Sequence, residues 1–147
     1  MKAQILQHIQ DLLTQKIEET KSAIEILKES RNNDTKSSMG DKYETGREMM
    51  QIEIDKHELQ LGKSKKLLED VGKIDPSHSS QEIEFGSFVT SNYESYFLSV
   101  GMGKIEFDGK VFYAISLASP IGQQLRGKKA GDKFSFNGRE IEVKEVA

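Results

Sequence analysis

Apolar residues recur every three or four positions through the first part of the chain: Leu6, Ile9, Leu13, Ile17, Ile24 and Leu27, with Thr20 in register. Charged residues such as Glu18, Glu19, Lys21, Lys28 and Glu29 fill positions between them, so the spacing predicts a helix of about thirty residues with one apolar stripe. A second run, Met50, Ile54, His57, Leu61, Ser64, Leu68 and Val71, alternates steps of four and three without a slip. A stripe that narrow suits a two-stranded coiled coil. Joining the runs is Asn32-Asn33-Asp34-Thr35-Lys36-Ser37-Ser38-Met39-Gly40, built from residues that favour turns and caps. Folding back lets each stripe bury the other, which predicts an antiparallel hairpin about 45 Å long at a rise of about 1.5 Å per residue. Met49 and Met50 are expected in its core.

The period changes to two after a polar stretch at 73–81, read as a helix stop and linker. Strands are expected at 83–90 and 93–100. Asp108-Gly109 separates two more at 104–107 and 110–116, and Asn137-Gly138 another pair at 133–136 and 139–146. One short helix falls between the hairpins, with Ser119 as N-cap, Pro120 at the first helical position and Gly127 as the left-handed residue after its end. The expected organisation is therefore α+β: a hairpin at 1–72 with its tip at 34–48, a linker at 73–81, and at 82–147 a small antiparallel sheet carrying one helix. Phe85, Phe88, Phe97, Phe107, Phe112, Phe134 and Phe136 are expected to fill that domain.

Composition sharpens the division. Only Gly40, Gly46 and Gly62 precede residue 72, Tyr43 is the lone aromatic residue before it, and both prolines follow it. There is no cysteine, which excludes a disulfide framework and thiolate metal sites. A net charge of −3 argues against sequence-independent binding to free nucleic acid, which needs dense Lys and Arg. No apolar run approaches the roughly 20 residues of a membrane span, so a soluble, cytoplasmic monomer without membrane contact is expected. His8, His57 and His78 lack metal-ligand spacing. The clusters Lys63, Lys65, Lys66 and Arg126, Lys128, Lys129, Lys133 read as solvated faces.

The candidate chemistry lies at the turn between the two helical runs. Asp41 and Glu44 stand three residues apart where the second run begins, and a projecting hairpin can carry such carboxylates into another protein's active site. The spacing is also that of a capping box, in which Asp41 accepts from the first turn and Glu44 reaches back. Tyr43, between them, either stacks on a partner or packs over the turn.

Two segments give the chain a resemblance to a known family. Ser119-Pro120-Ile121-Gly122-Gln123-Gln124-Leu125-Arg126-Gly127-Lys128-Lys129-Ala130-Gly131-Asp132 resembles the Ser-Pro-x-x-x-x-Leu-x-Gly-x-x-x-Gly-Asp signature of the Gre family of bacterial transcript-cleavage factors. Gly40-Asp41-x-x-Glu44 is similar to the acidic tip of the same family, and the order of hairpin, linker and sheet domain extends the likeness over nearly the whole chain. The resemblance implies an FKBP-like C-terminal domain that binds bacterial RNA polymerase, with Ser119, Pro120, Leu125 and Gly127 at the contact and Tyr43 at the tip. It also implies a coiled coil that enters the secondary channel and meets the RNA 3′ end only there. In that role Asp41 and Glu44 act in trans as catalytic groups and as ligands of a magnesium ion shared with the polymerase, which cleaves backtracked RNA. The protein then has no cofactor of its own and is no enzyme by itself.

The tip departs from the family's usual continuation at Lys42, Thr45 and Arg47, where an apolar residue, Asn and a second Glu are expected. A secondary-channel regulator that inhibits without cleavage is therefore a second reading, and a coiled-coil adaptor outside transcription a third.

Overall fold

A computed structural model describes residues 1–33 and 40–147, with the side chains of residues 40–43 outside the description. Two long helices come first, α1 at Lys2–Asn33 and α2 at Gly40–Val71. Six strands follow: β1 Phe88–Ser91, β2 Ser95–Leu98, β3 Gly103–Phe107, β4 Lys110–Ile115, β5 Lys133–Phe136 and β6 Arg139–Val146. A short helix, α3 at Pro120–Leu125, lies between β4 and β5. The chain divides into two compact units, one of residues 11–68 and one of residues 1–10 with 69–147.

In the unit of residues 11–68, α1 and α2 run antiparallel. Arg31 Nη1 donates to Gln51 Oε1, and Lys28 Nζ lies 3.9 Å from Glu58 Oε1, so partners ascend on one helix as they descend on the other. The predicted stripes are the buried ones: Leu13, Ile17, Thr20 and Ile24 on α1, Ile54 and Ser64 on α2. Thr20 is tolerated because its hydroxyl donates back to the Lys16 carbonyl at 2.8 Å, which satisfies a polar group that would otherwise cost stability. Beyond Ile24 and Ile54, toward the turn, none of the described apolar residues is fully buried. Met49 corrects the expectation of a core residue: it is 64% exposed, while its neighbour Met50 is half-buried. A helix turns 100° per residue, so two adjacent residues cannot share one narrow stripe.

The other unit is built on a six-stranded sheet of order β3-β4-β2-β1-β6-β5. Four of its five pairings are antiparallel, but β2 and β4 run parallel, with Tyr96 opposite Tyr113 and Leu98 opposite Ile115. The sheet is thus mixed, where a purely antiparallel one was expected. The β3–β4 hairpin docks through its second strand, which leaves β3 at the edge and turns β4 to the direction of β2. Both predicted tight turns form, with Asp108 and Gly109 at φ 53° and 74° and Asn137 and Gly138 at φ 50° and 77°, the left-handed pair that a two-residue hairpin turn needs.

The stretch expected as a strand at 83–90 forms one only from Phe88. Ile83 instead exchanges backbone hydrogen bonds with the end of α3, its N–H donating to the Lys128 carbonyl at 2.8 Å and its carbonyl accepting from Gly127 at 2.9 Å. Nearby, Asp75 Oδ1 accepts from the Ser77 hydroxyl and N–H at 2.6 and 2.9 Å, which holds its carboxyl below the ordinary range. Lys2 Nζ donates to the carbonyls of His78 and Ala147 at 2.8 and 3.3 Å, tying the start of α1 to this loop and to the last residue. Desolvation lowers its pKa, opposed by the charges of Glu84 and Asp75.

One face of the sheet carries the core cluster Val89, Tyr96, Leu98 and Val143, closed by Ile83 and by Leu125 of α3. On Phe97 and Phe112, both buried, Phe88 packs edge-on at centroid distances of 6.1 and 5.6 Å. Phe107 is half-buried, with the His8 ring 4.7 Å from its own, and Phe134 and Phe136 are half-buried as well. Phe85 departs from the expected core and is 37% exposed, because Gly86 at φ 92° turns the chain away before β1 begins.

Candidate functional site

Helix α2 already includes Gly40 and Asp41, so Asp41 is not the residue flanking the helix, which a capping box requires. Positions 41 and 44 are one helical turn apart. The side chains of Asp41 and Tyr43 lie outside the described residues. Glu44 is described and exposed. It lines an open depression of about 390 Å³ with Arg31 from α1 and Arg47, Glu48 and Gln51 from α2. Arg31 spans the two helices to Gln51, whose amide donates onward to Asp55 Oδ1 at 2.9 Å, so a polar relay holds this end of the pair where apolar packing has run out. The Nε of Arg31 is buried there without a hydrogen-bond partner.

Among the described residues, no three His, Asp or Glu side chains converge on a point that would hold a metal. Two carboxylates one turn apart still match the one or two that magnesium takes when a nucleic-acid phosphate and water complete its shell. Glu44, being exposed, is open to such a partner. His57 and His78 are engaged with Glu53 and Glu84, at 2.7 Å to the Glu53 carbonyl and 2.8 Å to Glu84 Oε1.

The segment at 119–132 folds by its own local chemistry. Ser119 adopts extended backbone at φ −65°, ψ 155°, and its Oγ accepts the Gly122 N–H at 3.1 Å as the N-cap of α3, with Pro120 in the first turn. Leu125 is fully buried at 0% exposure, so it packs the core and positions α3, and it cannot touch a partner while the unit is folded. Gly127 is exposed at φ 81° and ends the helix. Asp132 closes the following turn by accepting the Lys129 N–H at 2.8 Å through its carboxylate. Of the four contact residues that the resemblance implied here, Pro120 and Gly127 are exposed, Ser119 is half-buried with its hydroxyl engaged, and Leu125 is inaccessible. The basic residues around them are partly engaged too. Lys128 Nζ lies 5.0 Å over the Phe134 ring, and Lys129 Nζ is 3.8 Å from Glu82.

Beside α3 the same sheet face leaves a cleft that sequence reading missed. Its volume is about 320 Å³, and Tyr93, Tyr96, Tyr113, Ile121, Phe136 and Arg139 contribute to its walls. The Tyr96 hydroxyl donates to Glu94 Oε2 at 3.0 Å, and burial followed by this carboxylate raises its pKa well above the ordinary tyrosine value. Arg139 lies 5.1 Å over the Tyr93 ring and 4.0 Å from Glu94 Oε1. In the sequence Tyr96 and Tyr113 each stand next to a core phenylalanine, Phe97 and Phe112, and nothing in their spacing marks the cleft.

Fold and site together define an α+β protein that joins an antiparallel helical pair to a mixed six-stranded sheet with one short helix. None of its described helices is long and apolar enough to cross a membrane. No family profile matches the chain, and no curated protein matches it. Among solved structures it is similar to one described as "Structure of the transcription factor Gfh1", with 22% identity over 96% of this chain and 92% of that chain, at a TM-score of 0.36.

Proposed function

We propose that this chain is a Gre-type transcription factor that acts on bacterial RNA polymerase. Its C-terminal domain would dock on the enzyme, and its helical pair would enter the secondary channel to stimulate cleavage of backtracked RNA. The observation that carries this reading is Glu44: an exposed carboxylate one turn after Asp41, in the opening turns of the second of two antiparallel helices. The signature-like segment at 119–132 supports it from the other unit.

A magnesium ion shared with the polymerase would, when bound, stabilise the attacking and leaving oxygens of the cleaved phosphodiester. Asp41 and Glu44 are the residues that would hold it. Being only two oxygen donors, they depend on the polymerase and the RNA for the remaining ligands, so the protein adds chemistry to another active site and has none alone. Arg47 favours the second reading, a channel regulator without cleavage. It lines the same depression as Glu44, and a fixed cation there opposes the binding of a divalent ion.

A cleavage assay on stalled, backtracked complexes tests both readings, using the wild type, Asp41→Asn and Glu44→Gln, with helicity checked by circular dichroism. The cleavage reading expects RNA shortening by the wild type and its loss in both variants. Full activity of the variants would sink the carboxylate mechanism. A wild type that binds without cutting is the regulator, and one that binds no multisubunit polymerase leaves the coiled-coil adaptor.

A further inference from the structure

We propose that the outward face of α2 is a self-association surface, on which a second copy of this chain lays its own α2 antiparallel to the first. A helix turns about 100° per residue, so Glu48, Ile52, Asp55, Leu59 and Lys63 fall within an arc of about 80°, opposite the buried seam that holds Ile54 and Ser64. All five are exposed, and Ile52 and Leu59, at 62% and 63%, stand near the centre of the arc. Apolar residues exposed singly are ordinary. Here two share one line and are bracketed evenly, Glu48 lying four residues before Ile52 and Lys63 four residues after Leu59.

The order of charges decides what covers this face. Along and beside the arc the sign reverses once, with Glu44, Glu48 and Asp55 before the midpoint and Lys56 and Lys63 after it. Glu48, Asp55 and Lys63 have no opposite charge three or four positions away, so ion pairing along the helix does not account for that order. The helix macrodipole does not either, because its effect fades within the first and last turn, and Glu48 and Lys63 lie about two turns inside the ends of α2. A second copy turned end for end about the midpoint between Asp55 and Lys56 sets Ile52 against Leu59 and Glu48 against Lys63. Each contact then occurs twice, the reciprocal pairing of a two-fold interface. A parallel copy would set like charge on like. Lys56 lies at the edge of the arc, with Glu53 at 3.8 Å. Asp55 faces its own copy near the axis, a like-charge contact that limits the affinity. From Glu48 to Lys63 the contact is about 22 Å long, short for a stable complex, so the association is transient and needs high concentration.

The test is sedimentation equilibrium of the full chain at rising concentration, up to about 1 mM, with helicity of every variant checked by circular dichroism. The expected mass climbs from 16.6 kDa toward twice that value. Glu48→Lys and Lys63→Glu, both at exposed positions, should each weaken association by about tenfold, since each turns two attractive contacts into two repulsive ones. The double variant Glu48→Lys, Lys63→Glu should restore it, and an equimolar mixture of the two single variants should associate more tightly than either alone. Asp55→Asn should tighten the dimer by removing the like charges at the axis. A wild type that stays at 16.6 kDa throughout overturns the proposal. Single variants that associate like the wild type, a double variant no better than the singles, or a weaker dimer in Asp55→Asn does so too. None of these outcomes depends on polymerase binding or on RNA cleavage.

Discussion

The hydroxyl of Ser119 accepts the backbone N–H of Gly122 at 3.1 Å, and the same oxygen donates to the Ser116 carbonyl at 2.7 Å. Gly122 is there because nothing else fits. A Cβ on it would stand 2.1 Å from the Ser116 carbonyl oxygen and 2.8 Å from Ser119 Oγ, the first a backbone atom that cannot swing away. Ser119→Ala should therefore lower stability by about 1 kcal/mol through the lost cap. Gly122→Ala should cost more, about 3 kcal/mol, by forcing α3 off the sheet. Urea unfolding followed by tyrosine emission ranks the two, and equal midpoints would contradict the packing argument.

Ile54 and Met49 make a matched test of the helical pair. Ile54 is 1% exposed, and Ile54→Ala should destabilise by about 2 to 5 kcal/mol, since the facing helix cannot collapse into the space. Met49, 64% exposed, should tolerate alanine within about 0.5 kcal/mol. Loss of helicity on heating, followed by circular dichroism, separates them. Comparable losses would mean that Met49 is packed in solution.

Tyr96 gives the fold an alkaline limit. Burial first, and then its hydrogen bond to Glu94, raise its pKa above the ordinary tyrosine value of about 10. The folded state favours the neutral phenol, so this contribution is complete below the unfolded value and is lost as pH rises through the higher folded one. Tyr96→Phe should flatten the fall in stability above about pH 10. Glu94→Gln should bring the Tyr96 phenolate absorbance to lower pH. A wild type and Tyr96→Phe with parallel stability curves across that range would refute the assignment.

The site was legible in unequal parts. The acidic pair could be found from its place at a break between two apolar periods, but its spacing alone pointed first to a helix cap. The start of α2 at Gly40 removes the cap for Asp41, because that residue lies inside the helix. Arg31 could not have been found: it comes from the other helix, and its approach to Gln51 depends on the register of the pair. The signature-like run at 119–132 was visible as a string, yet its burial was not, and Leu125 turned out to serve the core.

What the sequence determined by itself was whatever depends on neighbours a few residues apart. The stripes of α1 and α2, the turns at Asp108-Gly109 and Asn137-Gly138, and the cap and stop of α3 all follow from side-chain spacing and backbone freedom within one or two turns of chain. Tertiary structure alone decided the parallel pairing of β2 with β4, the shortening of the strand expected from residue 83, and the cleft beside α3. Each of these rests on which distant segments share a surface. Tyr96 meets Tyr113 only because the β3–β4 hairpin docks by its second strand, a choice settled by packing over the whole sheet.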